Sequence, residues 1–194
     1  MDDDKITPRK QLDRIVELGR WVLELQNTLP LADVIKAVDE RRRDADSDDY
    51  YTLTLNLSPL LFVAGREPEA ERIVDEMIAR LPDDVRFPIH KAALHMHMND
   101  PKKALEAIDV ALVRAHRAGC FRREALGVKA RILLELGLGD QLSRTLEEIM
   151  SIEMKRGNRD SMRERDFVDR APPGMIAEDV LARYNIFCPR GNGH

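Results

Sequence analysis

Apolar residues recur along this chain at three- and four-residue intervals, the period of helices with one buried face. The clearest stripe is Ala70, Ile73, Val74, Met77, Ile78 and Leu81, lying between Pro68 and Pro82. Ala104, Leu105, Ile108, Ala111, Leu112 and Ala115 form another, opened by Asp100-Pro101 and closed by Gly119. An aspartate accepts hydrogen bonds from the free amides of a first turn, and a proline just inside it lacks an N–H that would go unused. The same signals predict a helix from Thr7-Pro8 to about Gln26, with Leu12, Ile15, Val16, Val22 and Leu23 on its apolar face beside Gly19 and Gln26. Leu31, Val34, Ile35 and Val38 predict a second helix, ending in Arg41-Arg42-Arg43 where cations suit the negative end of the helix dipole. Residues 44–49 read as a loop.

Within 50–64, Thr52-Leu53-Thr54-Leu55-Asn56-Leu57 alternates as a strand would. A lone strand is not stable without partners, so the segment reads as a helix that Pro59 kinks or divides. Further helices are predicted over 87–98 and 121–136, and another after Asp140 as its cap, with Leu142, Leu146, Ile149 and Met150 inward. Residues 155–158 read as a loop. Two shorter helices, 160–169 and 176–184, flank Ala171-Pro172-Pro173-Gly174, and the tail beyond Pro189 reads as frayed.

Three helix pairs repeat. Leu57, Leu61, Gly65, Ala70, Val74, Met77 and Pro82 set the pattern, and Ala92, His95, Asn99, Ala104, Ile108 and Ala111 follow 34 residues or so later. Ala130, Leu133, Gly137, Leu142, Leu146 and Ile149 repeat it after an insertion of about four residues. Small residues let two helices approach, glycine reverses the chain, and larger residues fill the seam between hairpins. Over residues 51–152 the chain resembles the tetratricopeptide repeat (TPR) family. It departs from that pattern where Thr54 and Pro88 replace the aromatic of the first helix, and at Pro59.

The resemblance implies an all-α fold of stacked antiparallel hairpins, a TPR-like α-solenoid, within a single domain of residues 1–194. The helix pair at 8–43 and the helices at 159–185 would cap its two ends. It implies a non-catalytic adaptor that binds a protein or peptide segment in a concave groove of first helices, with no cofactor. Its Lys/Asn carboxylate clamp is missing, because the matching positions hold Leu55 and Pro59, Ile89 and Ala93, and Gly127 and Arg131. The partner-binding candidates in the groove are Phe62, Arg86, Ile89, Met96, His97, Glu124 and Arg131. Self-association is a further expectation, motivated by the apolar run from Tyr50 to Val63.

Composition agrees with helices. The chain is 43% hydrophobic but only 5% aromatic, so Leu, Ile, Val, Met and Ala must pack the core. No window is long and apolar enough to span a membrane. The opening Met1-Asp2-Asp3-Asp4-Lys5 lacks the basic-then-apolar order of a secretory signal. Cys120 and Cys188 are far apart and read as free thiols of a reducing compartment, the cytoplasm.

Charge is uneven. Residues 85–132 carry ten Lys/Arg and four Asp/Glu, a net +6 in a chain of net −4, so the rest sums to −10. The cluster Arg114, His116, Arg117, Arg122, Arg123, Lys129 and Arg131 could take phosphate or an acidic protein segment. Only Phe121 is interleaved, so base stacking is poorly supported and nucleic acid is disfavoured. His90, His95 and His97 suggest a soft-metal site, but His95 and His97 point about 200° apart on a helix and only His90 and His97 share a face. Cys120 beside His116 is the one nucleophile–base neighbourhood, and Gly119 breaks the helix between them. No catalytic residue and no metal ligand is assigned.

Overall fold

In the computed structural model, the structure describes residues 8–157 and 164–188, excepting the side chains of 8–12, 47 and 48. The described residues form ten helices and no strand. They are α1 (Pro8–Thr28), α2 (Leu31–Arg43), α3 (Ser47–Val63), α4 (Glu67–Arg80) and α5 (Arg86–His97). There follow α6 (Pro101–Ala118), α7 (Arg122–Glu135), α8 (Gly139–Arg156), α9 (Arg165–Val168) and α10 (Glu178–Phe187). No helix among the described residues is long and apolar enough to cross a membrane. The chain divides into two compact units, residues 1–82 and 83–194.

Three hairpin turns repeat one set of backbone bonds. After α3, the Arg66 amide donates to the Leu61 carbonyl, and the Gly65 amide to Phe62. After α5, Asp100 donates to His95 and Asn99 to Met96; after α7, Leu138 donates to Leu133 and Gly137 to Leu134. The residue at the bend is left-handed in each case, with φ of 71° at Gly65, 56° at Asn99 and 71° at Gly137. A bend that uses positive φ to return amides to the last free carbonyls suits glycine and, next best, asparagine. The 34- and 38-residue spacings therefore mark one physical device used three times.

In the N-terminal unit, α3 packs between α2 and α4 and also touches α1. Its leucines Leu53, Leu57, Leu60 and Leu61 are buried. α3 is a single helix running through Pro59, which does not divide it. Pro59 is exposed, and its missing N–H withholds the helical bond to the Leu55 carbonyl. The expected loop at 44–49 is shorter, because Asp46 caps α3 by accepting the Asp49 amide at 3.0 Å. Arg14 of α1 reaches the same corner, 2.7 Å from Asp46 and 2.6 Å from Asp49. Tyr50 lies between two guanidiniums, those of Arg42 at 5.0 Å and Arg80 at 4.8 Å from its ring centre, which ties α2 and α4 to α3.

The apolar face expected for α1 is corrected. Val22 is buried as expected, but Leu18 is buried with it, while Ile15, Val16 and Leu23 are exposed. This helix carries apolar residues on more than one side, and packing against α2 and α3 selects the side with Leu18, placing Trp21 under Arg41 at 4.4 Å. Leu12 and Thr7 lie outside the described side chains.

In the C-terminal unit, α5, α6 and α7 meet through a core of nine residues, six of them alanine: Ala92, Ala104, Ala107, Ala111, Ala115 and Ala125. Methyl side chains let backbones come close. A second core joins α7 and α8 to Val168, Ile176, Val180, Tyr184 and Cys188, so the segment after α8 covers the last hairpin. The α8 start is corrected: it begins at Gly139, Leu138 is its cap, and Asp140 sits in the first turn. A Cβ at Gly139 would stand 2.4 Å from the Met175 carbonyl oxygen, so the loop before α10 requires glycine there. α8 runs on to Arg156, two residues into the predicted loop, where Gly157 closes it, and α10 starts and ends later than the 176–184 expected. Residues 160–163 and the tail beyond Pro189 lie outside the described residues.

Pro59 is exposed within a continuous helix. Pro59→Ala restores an amide donor and is expected to raise the stability of the N-terminal unit by about 1–3 kcal/mol in urea denaturation; an unchanged midpoint would mean the helix is relaxed around the proline.

Candidate functional site

The residues expected in a groove divide between the units. Phe62, half-buried at the end of α3, belongs to the N-terminal one. Arg86, Ile89, Met96 and His97 are on α5, and Glu124 and Arg131 on α7, two helices that touch. Ile89 and Met96 pack against the alanine-rich core. The Arg86 guanidinium grips the Asp84 carboxylate at 2.6 and 3.0 Å. Burial pushes the Asp84 carboxyl up, but the Arg86 side chain and amide, with the charges of Arg86 and Arg114, hold it below the usual range. His97, Glu124 and Arg131 are exposed.

The basic middle is largely committed to the fold. Arg114 donates to the Asp84 carbonyl at 3.2 Å, Arg122 pairs with Glu148, and Lys129 holds Asp109 at 2.7 Å. Arg123 is buried. It donates to Glu153 at 2.5 Å and grips both oxygens of Glu164 at 2.8 Å, fixing the segment before α9 against α7 and α8. Burial works against the Arg123 charge, yet the two glutamates raise its pKa above the ordinary value. Gly127, one turn on, leaves the room: a Cβ there would meet the Glu164 carboxylate at 2.8 Å. Nearby, the Tyr184 hydroxyl is buried with no hydrogen-bond partner among the described residues. Burial, with Cys188 and Glu164, pushes its phenol pKa up, so it stays protonated.

The histidines do not converge. His95 is in the core, His90 is partly buried and His97 is exposed. Among the described residues no group of three His, Cys, Asp or Glu side chains could hold a metal ion. Gly119 closes α6 in the left-handed region, leaving Cys120 exposed beyond the helix that carries His116. In the apolar run that motivated self-association, Leu53, Leu57, Leu60 and Leu61 are buried, while Pro59 and Val63 are exposed.

A cleft of about 420 Å³ lies in the N-terminal unit, between α2 and α4 and over α3. Its floor is Ile35, Leu57, Leu61 and Ile73, all buried. Lys36, Arg42 and Arg43 stand on one wall with Asp39, and Arg66 and Arg72 on the other with Glu69. Five cations face two anions there. Asp39 takes Arg42 at 2.9 Å and Arg43 at 2.5 Å, and Arg66 forks onto Glu69 at 2.7 and 2.8 Å. The Glu69 hydrogen bond holds Arg66 up against the effect of burial, with Asp39 of the opposite wall adding to it. None of the groove candidates lines this cleft. In the sequence, Arg41-Arg42-Arg43 reads as a helix end, and nothing local announces that α4 brings Arg66 and Arg72 opposite.

No family model, no curated protein and no solved structure matches this chain.

Two outcomes follow. Arg123→Met leaves Glu153 and Glu164 buried without their cation and is expected to cost about 3–5 kcal/mol in urea denaturation; a loss under about 1 kcal/mol would show that the pair does not hold the segment. Burial, with the charge of His97, lowers the His90 pKa from 6.5 to about 4. The unfolded ring takes a proton near its ordinary value while the folded ring stays neutral, so stability is full above that value and falls as pH drops towards about 4. His90 is partly exposed, so the loss is expected near 2 kcal/mol; His90→Gln should flatten this slope in thermal melts across the window.

Proposed function

We propose that the chain is a non-catalytic interaction module of TPR-like construction that docks a protein or peptide segment. The single observation that carries this reading is the turn geometry repeated after α3, α5 and α7. An identical bend at near-constant spacing signals hairpins built as units, and hairpin repeats present surface for docking rather than a closed pocket for chemistry. Contacts between alternate helices, α1 with α3 and α5 with α7, are those a stacked array makes. The buried cations join helices, Arg123 through Glu153 of α8 and Arg42 through the Tyr50 hydroxyl of α3. A nucleic-acid role through the basic middle is weakened because Arg114, Arg122, Arg123 and Lys129 are already paired. A cytoplasmic setting accords with the two free thiols, Cys120 exposed and Cys188 buried.

Affinity capture from the source cell's lysate at moderate and high salt, read by mass spectrometry, tests this. A protein retained at both salts is expected, with recovery reduced by Arg131→Glu and the melting temperature unchanged. Arg131 is the cleaner probe because Arg86 is engaged by Asp84. Retention of nucleic acid alone, lost at high salt, would replace the reading.

A further inference from the structure

We infer that the cleft between α2 and α4 binds an acidic peptide segment of a partner protein. This rests on the reading as an interaction module and assigns it a site outside the first-helix groove. The floor is already covered: Ile35, Leu57, Leu61 and Ile73 are each at most 4% exposed. A ligand therefore gains little from apolar burial and must be recognised by charge. The lining supplies five cations against Asp39 and Glu69.

Those cations are available for exchange. Arg43–Asp39, Arg66–Glu69, Arg72–Glu76 and Lys36–Glu40 are pairs within one helix, three or four residues apart. Lys36 is 73% exposed and Arg43 70%. Exposed pairs of this kind contribute about 0–1 kcal/mol each, so an incoming carboxylate can take the place of the intramolecular one at small cost. Arg42 is different. It is buried, holds Asp39 and donates to the Tyr50 hydroxyl at 2.9 Å, and it fixes the wall.

The spacing suits an extended chain. Lys36 and Arg43 are seven residues apart on α2, about 10 Å along the axis, and Arg66 and Arg72 about 9 Å on the facing wall. Alternate side chains of an extended peptide are about 7 Å apart, so two or three carboxylates on one edge reach the cations of a wall together. The intervening Asp39 and Glu69 oppose the denser charge of a phosphate backbone, and no aromatic side chain lines the cleft to stack a base.

The test is fluorescence anisotropy with the full chain and a labelled hexapeptide of alternating Asp and Glu. Pyrophosphate, a six-nucleotide oligothymidylate and a hexalysine peptide serve as competitors. The acidic peptide is expected to bind at low salt, and no competitor to displace it at equal concentration. Lys36→Glu with Arg72→Glu, one change on each wall, is expected to weaken binding about tenfold or more, about 1.4 kcal/mol, with an unchanged melting temperature. The neutral pair Arg43→Gln with Arg72→Gln should lose less and guards against misfolding of the first. Binding that survives both variants overturns the cleft and leaves the interaction module standing. Displacement by pyrophosphate or the oligonucleotide overturns the partner class. No binding of the acidic peptide, while lysate capture still retains a protein, removes this inference alone.

Discussion

A helix hairpin buries one face against itself and leaves another bare, and no hairpin in this chain has enough side chain to close that face alone. In the N-terminal unit α3 is the element the others close on, with four of its five leucines buried. In the C-terminal unit the last hairpin, α7 with α8, is closed by Val168, Ile176, Val180 and Tyr184. That segment is pinned by the buried ion pairs of Arg123 with Glu153 and Glu164, which need the space beside Gly127. Two carboxylates taken from water are tolerable there because one guanidinium satisfies three of their four oxygens.

The fate of each cation separates surface from structure. Seven basic residues between 114 and 131 look, in the sequence, like one patch for an anionic partner. Four of them are bound to Asp84, Glu148, Glu153, Glu164 or Asp109. The α2–α4 cleft reverses this relation. Its cations make hydrogen-bonded pairs only with carboxylates three or four residues away, apart from Arg42, which also reaches Tyr50. A pair made along one helix holds nothing together in the tertiary structure, and it can be exchanged without loosening the fold.

The helices were legible where an apolar stripe lay between unambiguous ends. Pro68, Asp100-Pro101 and Gly119 bracket α4 and α6, and both stripes are mostly buried. The repeat was legible through Gly65, Asn99 and Gly137, because positive φ restricts which residues can turn the chain. The face of α1 was legible only at Val22, since Leu18 competes with Ile15, Val16 and Leu23 and only the neighbouring helices choose. Nor was Asp140's place inside α8, because the bond from Leu138 to Leu133 sets that helix start. Of the groove candidates, Ile89 and Met96 are partly buried against the alanine-rich core, a contact that packing decides and the local sequence does not announce.

By itself the sequence determined an all-helical chain, the positions of its reversals and most buried stripes, since these follow from period, propensity and backbone sterics within a few residues. Only the tertiary structure decided which charges are spent and which stand free to exchange. Arg123 and Arg43 are both arginines at helix ends, and nothing within a few residues of either distinguishes them. One is buried because Glu153 and Glu164 arrive from 30 and 41 residues away, and the other faces a cleft because α2 and α4 both pack on α3.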